Sequence, residues 1–307
     1  MGASFLDAGM DCIVTGNTIA DKERHGSMAE QIRIDALLPV EMARRAEYIG
    51  TRKAEMNAVT MFVLAVLAGA FIGLGAIFAT TVATGASGVV PFGITKLLVG
   101  LVFCLGLILV VIAGAELFTG NNLIVMAWVS GKVSTRGLLR NWVIVYIGNF
   151  VGSILTALLM FFTRQYTFAG GALGQTALGI ANGKVNLDFV QAVALGIMCN
   201  ALVCLAVWLT FSARSTIDKI AAIIFPITAF VAAGFEHSVA NMYFISMGLF
   251  IKQLDPAFVS NLGMDLPALT WQNFLLHNLL PVTIGNIIGG SVLVAAVYWF
   301  VYLRTRE

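Results

Sequence analysis

Charged side chains are scarce in this chain. Asp, Glu, Lys and Arg make up 11% of 307 residues, against about 25% in an ordinary soluble domain. Hydrophobic residues make up 59%, and the mean hydropathy is +0.91. A soluble core of this size cannot hide so much apolar surface, so lipid must solvate much of it. The formal net charge is only +2, and no basic tract of the kind that nucleic acid needs is present. Cysteine is rare too. Cys104, Cys199 and Cys204 lie in apolar segments without CxxC spacing or a nearby histidine pair, so they read as small buried hydrophobes and not as a disulfide or metal site. No metal-ligand cluster, nucleophile–base pair or phosphate-binding glycine loop argues for an enzyme, and no cofactor is implied. Residues 1–27 carry Asp7, Asp11, Asp21, Lys22 and Glu23 and lack the apolar core of a signal peptide.

A membrane-crossing helix needs roughly 20 mostly apolar residues. Such windows fall near 57–83, 92–129, 139–163, 187–211, 218–250 and 275–303. The second and fifth are too long and too interrupted for simple spans. One carries Gly114, Glu116, Thr119, Gly120, Asn121 and Asn122; the other carries Gly234, Glu236, His237, Ser238 and Asn241. Of the 18 Lys and Arg residues, 14 fall in the termini and the loops after spans two and four, which predicts cytoplasmic termini. Segment 30–55 reads as an amphipathic helix at that face, started or broken at Pro39.

Two passages repeat. "GAELFTGN" at 114–121 aligns with "GFEHSVAN" at 234–241, and "RNWVIVYIGNFVG" at 140–152 with "HNLLPVTIGNIIG" at 277–289. Spans one to three and four to six therefore read as two copies of one unit. With three spans per copy, the second copy must enter from the other side, an inverted repeat. The expected organisation is an N-terminal extension at 1–29, the amphipathic helix at 30–55, a six-span domain at 56–303 with repeats at about 56–163 and 187–303, and a cytoplasmic tail at 304–307.

Backbone that leaves helical geometry within a membrane must be buried in protein or line a wet cavity. Each break is followed by a restarting half-helix, with Thr119 and Ser238 as expected caps. Two helix N-termini converging near the midplane make an anion site. An intramembrane histidine is costly and points to function, so His237 is the leading candidate, able to donate a proton or only a hydrogen bond. Thr119 offers a hydroxyl to the same ligand. Glu116 and Glu236 read as loop scaffold, since a bare carboxylate on the path would repel an anion. Asn149, Asn200 and Asn286 glue helices together or line the path. Phe103, Leu107 and Phe230 flank the breaks; on the path they would form dry constrictions that favour a neutral acid over a bare ion.

These residues, with "LLPVEMA" at 37–43, "PFGITKLLVGLVFCLGLILVV" at 91–111, "MCNALVCLAVWLTFSARS" at 198–215 and "FVAAGFEHSVANM" at 230–242, resemble the formate/nitrite transporter family over roughly residues 30–303. Its formate channels look closest. The resemblance implies an aquaporin-like all-α membrane fold, a homopentamer with a pore in each protomer, and a bacterial cytoplasmic membrane. It implies a central Thr119 and His237, apolar slits at Phe103, Leu107, Phe118, Val203 and Phe230, pore asparagines at Asn200 and Asn241, and a lysine near the histidine at Lys184. The expected ligand is a small monovalent anion: formate, with nitrite, hydrosulfide or other short acids as alternatives. A water or glycerol pore of the aquaporin type is disfavoured, because the chain contains no Asn-Pro dipeptide.

Overall fold

The computed structural model describes residues 36–304; the expected extension at 1–29, the first residues of the expected amphipathic helix, Cys12 and the last three residues lie outside them. Every regular element among the described residues is helical. Five helices are long and apolar enough to cross a membrane: α2 (Ala58–Ala83), α3 (Phe92–Gly114), α5 (Thr135–Phe162), α7 (Phe189–Ser212) and α11 (Trp271–Tyr302). The protein is an all-helical, multi-pass membrane protein. Its exposed apolar residues, among them Phe78, Phe92, Leu159, Val190 and Phe225, suit a lipid surround.

The expected second and fifth windows each resolve into two pieces. Residues 92–129 divide into α3 and a short α4 (Gly120–Val129). Residues 218–250 divide into α8 (Thr216–Ala232) and α9 (Ser238–Leu254), each of 17 residues. The chain turns at Gly114 (φ +82°) and Gly234 (φ +75°), a left-handed conformation that glycine alone adopts without penalty. It then runs non-helically to Thr119 and His237.

Two further helices complete the frame. α1 (Pro39–Glu55) begins at Pro39, whose fixed φ suits a first helical position, and Glu41 caps it by accepting from the Leu38 amide at 3.0 Å. α6 (Ala172–Val185) was not expected from hydropathy. Its 14 residues are too short for a span, and its buried Leu173, Ala177, Leu178 and Ala181 pack beside α9. A short α10 (Pro256–Asn261) closes that end.

Close packing of α2 on α5 and of α7 on α11 depends on absent side chains. A Cβ on Gly152 would stand 2.0 Å from the Val66 carbonyl oxygen, and one on Gly289 would stand 2.2 Å from that of Ile197. Small residues at such crossings let backbones approach and let helices associate in lipid. The crossings in turn hold the polar residues of α5 and α11 against the two breaks.

Candidate functional site

The first break is held by one asparagine. Asn149, on α5, accepts from the Phe118 amide at 2.9 Å and donates to the carbonyls of Ala65 and Glu116 at 2.8 and 2.9 Å. Asn286, on α11, does the same at the second. It accepts from the Ser238 amide at 2.9 Å and donates to the carbonyls of Gly196 and Glu236, both at 2.9 Å. Buried backbone groups freed by a helix break need such partners. The break amides of Glu116 and Glu236 donate to Leu64 and Leu195 at 3.2 and 3.3 Å.

The two carboxylates lie in matching networks. Glu116 accepts from Lys53 at 2.7 Å and from Asn121 at 2.7 Å, and Asn121 also donates to Asn141 at 2.9 Å. Glu236 accepts from Lys184 at 2.7 Å and from Asn241 at 2.6 Å, and Asn241 also donates to Asn278 at 2.8 Å. Both acids are buried and each is paired with a cation, which meets the condition for keeping a charge in low dielectric. The networks differ in detail: Asn278 also donates to Glu236 at 3.4 Å, which Asn141 does not do to Glu116. Asn121 Oδ1 accepts from Lys53 at 2.9 Å, whereas Asn241 Oδ1, buried, has no partner among the described residues.

The centre breaks the pattern. His237 occupies the place that Leu117 holds in the first copy, and Thr119 the place that Val239 holds in the second. These two side chains meet: Thr119 Oγ1 lies 2.9 Å from His237 Nε2, and both residues are buried. His237 Nδ1 accepts from the backbone N–H of Ala240 at 3.0 Å. A backbone N–H can only donate, so Nδ1 carries no proton and the neutral imidazole holds its proton on Nε2. His237 therefore donates to the Thr119 hydroxyl, and that hydroxyl keeps its own hydrogen for a ligand. The expected caps are corrected here. His237 itself caps α9, the Ser238 hydroxyl is unpartnered, and Thr119 makes no side-chain cap. A histidine ring at the N-cap reaches the third amide of the helix and displaces the serine one residue on.

Two cavities approach this pair. One of about 400 Å³ is lined by Arg45, Lys53, Leu107, Glu116, Leu117 and Lys219 among others. The second, of about 580 Å³, is lined by Lys96, Phe103, Lys184, Phe230, Glu236 and His237 among others. Leu107 and Phe103 stand one turn apart on α3, so about 6 Å of helix separates the cavities at that wall. Phe103 and Phe230 pack edge to face at 5.8 Å between centroids, and Phe230 stacks on His237 at 5.9 Å. Phe118 and Val203 are buried and line neither cavity; Phe118 packs on Tyr146 at 4.9 Å. Asn241 lines the second cavity. Asn200 lines neither. It donates to the Thr119 carbonyl at 3.3 Å, to Asn122 at 2.8 Å and to the Asn286 carbonyl at 2.7 Å.

Sequence reasoning missed Lys53, the partner of Glu116, and the bridge between Asn122 and Asn200. The signal for Lys53 was the repeat carried further towards the N-terminus. Lys53 and Lys184 each precede a helix cap, Asn57 and Asp188, by four residues. No local pattern marks the asparagine bridge, since its partners come from different copies. Among the described residues, no three His, Cys, Asp or Glu side chains cluster as metal ligands, and the three described cysteines are free and buried.

Known proteins share this frame. The sequence pattern described as "Formate/nitrite transporter" matches residues 40–300. The formate channel FocA of Escherichia coli is 46% identical over 277 residues, covering 89% of this chain and 97% of that protein. The Haemophilus influenzae formate channel FocA is 43% identical, covering 84% and 92%. A solved structure described as a pentameric formate channel with formate bound is 50% identical with a TM-score of 0.76, covering 80% of this chain and 98% of that one. On this breadth of agreement, the chain belongs to the formate/nitrite transporter family.

Proposed function

We propose that this protein is a formate channel of a bacterial cytoplasmic membrane, working as a homopentamer with one path per protomer. The observation that carries the reading is the Thr119–His237 hydrogen bond, buried between two cavities whose charged linings are net positive. The first has three cations to one carboxylate, net +2 (3 − 1); the second has two to one, net +1 (2 − 1). Such vestibules concentrate a small anion on either side. The similar proteins named formate channels, and the formate-bound pentamer, point to the same ligand and assembly.

Six spans arranged as an inverted repeat fit the paired networks. Spans two and five are α3 with α4 and α8 with α9, broken near mid-membrane. The copies extend further than hydropathy suggests, with α1 opening the first and α6 the second. The basic bias supports cytoplasmic termini, with the Lys53 vestibule on the same side. The channel has no catalytic role; its work is passage.

At the centre the Thr119 hydroxyl and, on giving up its bond to that hydroxyl, His237 Nε2–H are donors for a carboxylate. His237 cannot pass on its Nε2 proton without becoming an imidazolate. To become an imidazolium it must release the Ala240 amide, because Nδ1 would then face a second donor. Its role is therefore to donate a hydrogen bond, and the proton that neutralises formate held at the centre comes from vestibule water. The apolar partition at Phe103, Leu107, Val203 and Phe230 then passes the neutral acid far more readily than the ion. Nitrite or hydrosulfide would use the same two donors and is the second reading. Purified protein in liposomes, compared with formate, nitrite, hydrosulfide and lactate at two pH values, tests it. Formate flux no faster than lactate flux would overturn the formate reading.

A further inference from the structure

A cleft of about 740 Å³ lies apart from both vestibules, between α1, the turn after α4 and the end of α11. Arg44, Glu47, Lys132, Trp299 and Arg304 are among its walls. Its charge is unbalanced. Three cations face one carboxylate, and that carboxylate, buried Glu47, is salt-bridged to Lys132. Arg44 and Arg304 have no carboxylate partner among the described residues. The Arg304 guanidinium carbon lies over the Phe300 ring, 3.6 Å from its centroid.

The surface leading to this cleft is apolar. Leu293, Val297, Phe300 and Val301 follow helical spacing on one face of α11, which ends at Tyr302 just before Arg304, and all four are 48–55% exposed. From Leu293 to the end of the helix at Tyr302 the rise is about 13 Å. One leaflet of a bilayer's hydrocarbon is about 15 Å deep, half of the roughly 30 Å core. The rail therefore runs through most of a leaflet and ends beside the cations. Trp299 at the cleft is the kind of residue that sits at headgroup level.

We propose that this cleft binds the phosphate of an anionic phospholipid, with one acyl chain lying along the exposed face of α11. Arg44 and Arg304 grip the phosphate, while Lys132 stays with Glu47. The proposal needs only the membrane-spanning fold, so it stands apart from the identity of the permeant anion.

The test is native mass spectrometry of the purified assembly offered phosphatidylglycerol or phosphatidylcholine, for the wild type and for R44Q/R304Q. The wild type should retain phosphatidylglycerol in preference. The double variant should bind it about thirty-fold more weakly, since each cation near an anionic surface contributes roughly fivefold. R44K/R304K should keep the preference, which separates charge from folding. Equal retention of the two lipids, or unchanged binding by R44Q/R304Q, would overturn the proposal. So would competition by millimolar inorganic phosphate, which would make this a site for a free anion. Tyr48 is exposed and lines the same cleft, so a Tyr48→Cys variant that cross-links to a second copy of the chain would assign the cleft to a subunit contact, and would also overturn it.

Discussion

Replacing Thr119 with valine removes one hydroxyl and keeps the branched shape. That hydroxyl accepts from His237 Nε2 at 2.9 Å in a fully buried setting and has one hydrogen left to offer the permeant anion. A hydrogen bond to a charged group contributes about 1.5–3 kcal/mol. If the anion makes this bond only at the crossing point, its loss slows formate flux by roughly 10- to 150-fold. Thr119→Ser keeps the hydroxyl and should stay within about threefold, well under 1 kcal/mol. The assay is formate-driven flux into liposomes across pH 5 to 8, with melting temperature as the control for folding. The pH profile of the residual flux should match the wild type, because the Ala240 amide holds His237 as the same neutral donor in both. Thr119→Val flux within twofold of wild type, or Thr119→Ser as slow as Thr119→Val, would refute the assigned role of the hydroxyl.

Asn149→Ala and Asn286→Ala each remove three hydrogen bonds to backbone, two at the break and one to a neighbouring helix. Each should cost about 3 kcal/mol at roughly 1 kcal/mol per bond, and unfolding in detergent should find the two costs alike; a loss under about 1 kcal/mol for either would contradict the scaffold role. His237→Asn should keep the α9 cap and melt near the wild type, while His237→Ala should lose about 1 kcal/mol. Both should conduct poorly, and a thermal melt paired with the flux assay separates the capping role from the donor role. Gly152→Ala and Gly289→Ala drive a Cβ into the Val66 and Ile197 carbonyls. Each should cost at least about 1–3 kcal/mol and cut the yield of folded protein; normal yields would show that these helix pairs pack less closely.

Much of the frame is legible in the sequence. Lipid-length apolar windows mark α2, α5, α7 and α11 because a bilayer demands length and hydropathy and little else. The repeated Gly, Glu and Asn at 114–121 and 234–241 marked both interruptions, because only a positive φ and a buried polar network require those residue types there. α6 escaped notice because a helix of 14 residues packed against protein carries no lipid-length signal. The capping roles were misassigned between neighbours because a cap is set by which side chain reaches the amide, and His237 reaches it before Ser238 does.

Composition and periodicity alone place this chain in a membrane and bring out two recurring passages, since each follows from local chemistry counted along the chain. Folding settles which residues of the two copies meet. Thr119 and His237 do not correspond in the repeat, yet they touch across 118 positions of sequence. Lys53 and Lys184 become partners of the two glutamates only when α1 and α6 dock beside the breaks. Those pairings depend on helix crossings that glycine permits in three dimensions, and no window along the chain contains both partners.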